Sequence, residues 1–354
     1  MFLKDISALL FARYNTLMKS KISAPAARCD VALLVDAETG VRNESGQFVL
    51  DCGGVEAQVM RALNAQHHHV SVVPFEPQVS KTCDELRALM PQMVFNLTEW
   101  IDGDRSRDHE ITHVLEALGL RYTGTGAEGL QGARDKVRAK NIVAALGVAV
   151  PRSYNIRGDA SMPRLPFPLF VKLRDGDGSD AIGAAALVRN AAQLRERLRV
   201  TAALKRGPAL CEEYVEGRDL FVALLGNKPD VLHPLELVVG QTGRGAPRFA
   251  TGRLKHDDVY KRRWKVSYRK ARLPDAVLRE ITDSSRRIFH ALKLRDYARI
   301  DYRLTPNNRL VFIEANPNPD LGRHTFGRER CFVDVAYAEL IQRIVTAARG
   351  RYRK

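Results

Sequence analysis

No two of the five cysteines, Cys29, Cys52, Cys83, Cys211 and Cys331, stand close together, and none belongs to a C-x-x-C pair. Their odd number and wide spacing speak against a disulfide framework and a cysteine zinc site, and fit a reducing cytoplasm. No apolar run is long enough to cross a bilayer. Residues 1–20 set Ile6, Leu9, Leu10, Phe11 and Leu17 among Lys4, Asp5, Arg13 and Lys19, so they are amphipathic and lack the clean apolar core and cleavage site of a secretory signal. They read as a docking helix, followed by the linker Ser23-Ala24-Pro25-Ala26-Ala27. The chain has no P-loop or dinucleotide spacing, no internal repeat and no low-complexity tract. Acid is in short supply: 41 Asp and Glu face 56 Lys and Arg, a net charge of +15. That surface attracts phosphate-bearing or acidic partners, but no nucleic-acid motif accompanies the basicity, so nucleic-acid binding is set aside. Much of the excess lies in Lys261, Arg262, Arg263, Lys265, Arg269, Lys270 and Arg272 and in Arg349, Arg351, Arg353 and Lys354, which read as solvated faces. The triplet His67-His68-His69 is a poor metal motif, because consecutive residues cannot share one helical face.

What is present is the periodicity of a multidomain α/β chain. At 354 residues and 45% hydrophobic content, two or three domains are expected. Val31–Val35, Val70–Val73 and Met93–Leu97 read as strands, with helical periodicity from Val55 to Leu63. Ile111, Val114, Leu115 and Leu118 fall at helical spacing and stop at Gly119, and another helix runs from near Arg134 to Gly147, with Pro151 beyond. This alternation predicts an open α/β sheet. After Pro151 strands come in closer succession, at Leu169–Leu173, Ala209–Val215, Leu220–Leu225 and Val231–Val239, with a helix over Ala191–Leu204, and the character becomes α+β. A final helix is expected over Asp334–Ala348.

Three segments carry candidate chemistry. In the first, the runs Ala298–Leu304 and Arg309–Asn316 flank Pro306-Asn307-Asn308 and predict a β-hairpin. Side-chain alternation places Arg299, Asp301 and Arg303 on one face, and Phe312, Glu314 and Asn316 on one face of the return strand. A two-residue loop at Asn307-Asn308 sets Asp301 opposite Glu314 and Arg299 opposite Asn316. Facing carboxylates repel, and either a magnesium ion or a salt-bridge ladder through Arg299 and Arg303 would relieve them. In the second segment, Lys172 at a strand end leads into Gly176, Gly178, Ser179 and Gly183, a loop able to bring backbone N–H groups to phosphates but equally ordinary turn chemistry. In the third, the strand Leu210–Val215 ends among Glu212, Glu213, Glu216 and Asp219, fit either for a nucleobase edge and ribose or for a charged loop.

Six segments stand in order: Val94 to Glu99; Leu115 to Gly126; Arg134-Asp135-Lys136 with Lys140; Phe167 to Lys172; Arg299-x-Asp301; and Glu314-Ala315-Asn316. Together they resemble the ATP-grasp superfamily, and most closely its D-alanine–D-alanine ligase branch, over roughly Met93 to Asn318. The resemblance implies an extension at 1–27, an open α/β domain at 28–125, and two α+β subdomains at 126–215 and 216–354 that clasp ATP. It implies ATP as cosubstrate with two magnesium ions, manganese being the alternative, held by Asp301, Glu314 and Asn316. Lys136 and Lys172 would reach phosphates, and Gly176–Gly183, including Gly178 and Ser179, would close over them. Glu212 and the backbone of Glu213 to Val215 would form the adenine hinge, Asp219 would meet the ribose, and Arg299 would steady an oxyanion. The implied activity is ADP-forming ligation of a carboxylate to an amine through an acyl phosphate, the substrates being amino-acid-like or peptide-like and a homodimer the assembly to test for. A non-catalytic ATP-binding module is the alternative, and the retention of Arg299 and all three metal-ligand positions argues against it.

The substrate half departs from that pattern. Cell-wall ligases carry a Gly-Gly-x-Ser-x-Glu motif after the first strand, where this chain reads Asp36-Ala37-Glu38-Thr39-Gly40, leaving Glu56 after Gly53-Gly54 as the substitute. Beyond Asn316 the chain reads Pro317-Asn318-Pro319-Asp320-Leu321-Gly322-Arg323-His324, and Arg323, His324 and Arg328 are expected to face an acidic or larger substrate.

Overall fold

The computed structural model describes residues 28–156, 165–174, 183–204, 208–241, 243, 249, 254, 257–322 and 335–352. The first strand, β1 (Asp30–Asp36), is apolar from Val31 to Val35, where both of its faces are buried. Val31, Leu33 and Val35 pack into one core and Ala32 and Leu34 into another, as strands covered on both sides do. It leads into a hairpin absent from the expectation, β2 (Gly40–Arg42) and β3 (Phe48–Leu50). A β-carbon at Gly40 would lie 2.1 Å from Val49 O, so this close approach requires glycine. Then follow α1 (Val55–Ala65), β4 (His69–Phe75), α2 (Val79–Leu89), β5 (Met93–Asn96) and α3 (Asp108–Ala117). Strands β4 and β5 flank β1 in a parallel sheet, registered Val31 with Val70 and Val31 with Met93.

The helix expected from Arg134 to Gly147 is divided. Asp135 takes extended dihedrals between α4 (Ala127–Arg134) and α5 (Lys136–Ala145), and its carboxylate caps α5 by accepting from the N–H groups of Val137 and Arg138, each at 3.1 Å. Next come β6 (Ser153–Ile156), β7 (Leu169–Leu173), β8 (Leu187–Val188), α6 (Ala191–Ala203) and β9 (Ala209–Glu213). The strands form an antiparallel sheet ordered β6-β9-β7-β8. A larger antiparallel sheet follows: β10 (Arg218–Leu225), β11 (Asp230–Val231), β12 (Leu235–Val239), then α7 (Asp258–Arg263), β13 (Val266–Lys270), α8 (Asp275–Ala291), β14 (Tyr297–Leu304) and β15 (Leu310–Asn316). Its order is β13-β12-β10-β14-β15, with β11 on β10. The single strand expected over Val231–Val239 is two, with Leu232, His233 and Pro234 between them. The last helix, α9 (Tyr337–Arg351), starts and ends three residues later than expected, and Asp334 lies outside the described residues.

One face of the large sheet packs Leu220, Val222, Ala298, Ile300, Tyr302 and Leu304 against α5 and α8. The other face joins the N-terminal layer through α1 and α9. Asp296 locks that junction. Fully buried, it accepts from Gly124 N at 2.8 Å, Asn227 Nδ2 at 2.8 Å, and Arg351 Nε and Nη2 at 3.0 and 2.8 Å. Asp296→Ala strands the Arg351 guanidinium, and we expect a loss of about 3–5 kcal/mol in stability, read from urea unfolding.

Candidate active site

The large sheet's second face carries the hairpin residues. Because Ala298, Ile300, Tyr302 and Leu304 point into the apolar core, Arg299, Asp301 and Arg303 point the other way, and Asp301 and Arg303 line a cleft floored by β7 and β9. Across the hairpin Arg299 pairs with Asn316 and Asp301 with Glu314, as the spacing predicts. The route to that register differs from the expectation. The loop has three residues, Pro306 to Asn308, with Thr305 N donating to Arg309 O at 3.0 Å and Asn308 in the left-handed region at φ 61°. A bulge between Asp301 and Tyr302 then leaves Ile313 unpaired and restores the offset. Its consequence is that Phe312 turns into the core instead of sharing a face with Glu314, while Ile313 and Glu314 both line the cleft.

The donors suit magnesium chemically: two carboxylates and an amide, with room in its coordination for water and phosphate oxygens. The Asn316 side-chain nitrogen is buried without a hydrogen-bond partner among the described residues, so the amide is not committed elsewhere on that atom. Among those residues no cluster of three or more His, Cys, Asp or Glu side chains offers a rival metal site. His68 is instead a satisfied core residue, Nδ1 near Cys29 N and Sγ, each at 3.3 Å, and Nε2 2.8 Å from Gln342 Oε1.

Arg299 and Arg303 also do what the salt-bridge reading requires. Arg299 donates from Nε and Nη2 to the two oxygens of Asp301, at 2.7 and 3.0 Å, and its guanidinium lies 5.5 Å from the Phe221 ring. Arg303 Nη1 is 3.1 Å from Asp219 Oδ1, its cross-strand partner, and donates to Gly217 O at 2.8 Å. Asp219, the expected ribose acid, is thus engaged by Arg303.

The floor of the cleft is a buried charge cluster. Glu212 of β9 sits with Oε1 2.6 Å from Lys140 Nζ and Oε2 3.0 Å from Lys172 Nζ. All three residues are 3% exposed. Burial alone would raise the Glu212 pKa, but the two ammoniums hold it below the usual carboxylate range. Burial works to lower Lys172 as well, and Glu212 with Glu314 more than offsets it, leaving its pKa raised. Glu314 therefore acts electrostatically across the cleft from the opposite sheet. Lys136 opens α5 and donates from Nζ to Arg174 O at 3.5 Å, while Arg174 is tied to Asp135 by a 2.6 Å ion pair. That brings the first-turn lysine to the end of β7, where the glycine loop leaves. Gly178 and Ser179 themselves lie outside the described residues, as do Arg323, His324 and Arg328.

The hinge between the sheets is Tyr214–Gly217. Glu213 turns its carboxylate to Arg152, accepting from Nε at 2.6 Å, and Tyr214 N donates to Pro168 O at 3.1 Å. A β-carbon at Gly217 would lie 2.3 Å from Leu304 O, so the chain can cross here only as glycine. Val215 lines the cleft with an aromatic group that sequence reasoning left without a role: Phe249 meets Phe170 edge-on at 4.9 Å and Tyr214 at 6.3 Å. Phe249 belongs to no strand and adjoins no motif, so nothing in the sequence signals it. At the far end, Asp36 accepts from the N–H groups of Glu99 and Trp100 at 3.1 and 3.2 Å. Glu56, in the first turn of α1, has its pKa raised by burial and by the charges of Asp36, Asp320 and Asp51. The fold thus brings Glu56 beside the segment that follows Asn316.

Comparison with known proteins gives this arrangement relatives. Residues 155–346 match the family described as D-ala D-ala ligase C-terminus. An uncharacterized protein, y4sG, of Sinorhizobium fredii is 32% identical over 278 residues, covering 73% of this chain and 75% of that protein. A D-alanine–D-alanine ligase of Caulobacter vibrioides is 27% identical over 334 residues, covering 93% and 95%. Among solved structures, the D-alanine–D-alanine ligase of Bacillus anthracis complexed with ATP superposes with a TM-score of 0.67 at 17% identity, over 91% of this chain and 99% of that one. The fold is the ATP-grasp fold of those enzymes.

Proposed function

Since the chain belongs to the D-alanine–D-alanine ligase family, we propose that it is an ATP-dependent carboxylate–amine ligase of that kind, forming an amide through an acyl phosphate and releasing ADP. The observation that carries this reading is the cleft in which Asp301 and Glu314 from one sheet face Lys172 and Glu212 from the other. Asp301, Glu314 and Asn316 would hold magnesium, which when bound offsets negative charge on the nucleotide phosphates. Lys172 adds positive charge in the cleft, and Lys136 adds it beside the end of β7. Phe170, Tyr214 and Phe249 give an aromatic wall for a nucleobase, with the hinge backbone of Glu213 to Val215 beside it. Once an acyl phosphate exists, an amine must attack its carbonyl carbon, and the oxygen that gains charge needs a donor. Arg299 supplies one, provided its guanidinium leaves Asp301.

On the substrate side, Glu56 is the group we assign to a substrate ammonium. Glu56→Gln should raise KM for the amino acid roughly tenfold, the worth of one charge-assisted hydrogen bond, while leaving KM for ATP unchanged. The pH dependence has a definite sign. Binding needs the ionised carboxylate, and a raised pKa delays ionisation to higher pH. KM for the amino acid should therefore fall as pH rises through that pKa, and the Gln variant should lose this limb. The reading as a whole is tested by magnesium-dependent phosphate release from ATP over pairs of amino acids, beginning with D-alanine, with product masses recorded. A mass equal to the two amino acids less water is expected; ATP binding without turnover for any pair would instead indicate a binding module.

A further inference from the structure

Lys140 is buried beneath the cleft and does not line it, whereas Lys172 and Glu212 do. Its ammonium stands 2.6 Å from Glu212 Oε1, a close buried ion pair. The other carboxylate oxygen is 3.0 Å from Lys172. We propose that Lys140 is a positioning residue for the nucleotide: by engaging one oxygen of Glu212, it keeps that carboxylate from neutralising Lys172 and leaves the cleft floor with one net positive charge for a phosphate group. This rests on the reading of the cleft as an ATP site.

The charge count carries the argument. Two ammoniums and one carboxylate sum to +1. Without Lys140, one carboxylate faces one ammonium in a buried, low-dielectric setting, where opposite charges close on each other and present nothing to an anion. Holding Lys140 charged is costly: burial lowers its pKa to about 8, with Glu212 offsetting part of the cost and Lys172 adding to it. A methionine would fill similar volume without that cost, so what a lysine adds at this position is its charge.

The test is calorimetric titration of the full-length chain with magnesium-ATP and, separately, with adenosine, for the unaltered protein, Lys140→Met, and Lys140→Met combined with Glu212→Gln. The single variant should bind magnesium-ATP roughly 10- to 100-fold more weakly, the range for interactions with charged groups, while adenosine binding shifts less than about twofold. The double variant again carries +1, now on Lys172 alone, and should regain most of the lost preference for magnesium-ATP over adenosine, a ratio in which any adenine contact of Glu212 cancels. In turnover, KM for ATP should rise more than kcat falls. A merely structural role would weaken ATP and adenosine together and give no recovery in the double variant, and that result overturns the proposal. Unchanged ATP affinity in Lys140→Met overturns it as well. Failure of the unaltered protein to bind magnesium-ATP would overturn the ATP reading itself, and is seen without any substitution.

Discussion

Glu314→Gln is expected to reduce magnesium-dependent ATP turnover by on the order of a thousandfold or more, consistent with loss of a metal-holding charge at a phosphoryl-transfer site. Glu314 stands opposite Asp301 across the hairpin, and its charge, like that of Glu212, also reaches Lys140 and Lys172. Glutamine keeps the shape and removes the charge, so thermal unfolding should move little. Manganese binding, followed by paramagnetic resonance without any turnover, should weaken in parallel. Deleting Ile313 removes the bulge, and because strand side chains alternate outward again from core-facing Phe312, Glu314 should stay opposite Asp301 on the cleft face and manganese binding should persist in that variant. Loss of manganese binding in Glu314→Gln would tie the metal to Glu314; tight binding that persists in Glu314→Gln would defeat the assignment.

Arg299→Ala has the second-largest expected effect, and it acts in two opposite senses. Removing a donor to a developing oxyanion should lower kcat roughly 10²- to 10³-fold with KM for ATP nearly unchanged. Metal affinity should rise at the same time. Arg299 occupies both oxygens of Asp301 at 2.7 and 3.0 Å, so any cation on Asp301 must compete with it. Pre-steady-state kinetics and manganese titration separate the two effects. A variant with normal kcat and tighter metal would show Arg299 to be a partner of Asp301 and nothing more.

Much of the metal-side geometry is legible in the sequence, though partly through two offsetting differences. A two-residue loop gives the pairing of Asp301 with Glu314; the actual loop is one residue longer, and the bulge at Ile313 subtracts that residue again. Short-range alternation sees the faces of β14 because nothing interrupts them. It misplaces Phe312 because a bulge has no clear mark in the residue pattern. The Lys140–Glu212–Lys172 cluster is assembled from a helix and two strands that are distant in sequence, and spacing alone carries no sign of it. Asp219 reads as a free acid in sequence, yet antiparallel pairing of β10 with β14 delivers Arg303 to it. The substrate end is the least legible part. The hairpin β2–β3 separates β1 from α1, so Glu56 reaches Asp36 and Asp320 only through the fold.

The central claim is that a carboxylate oxygen attacks the γ-phosphate of ATP before the amine attacks the carbon. The most direct measurement uses an amino acid labelled with ¹⁸O in its carboxyl group, supplied with ATP and the amine that supports turnover, and follows the released phosphate by ³¹P resonance. Transfer of one labelled oxygen to each phosphate is the predicted result. Phosphate that carries only unlabelled oxygen while the amide still forms would contradict the acyl-phosphate route.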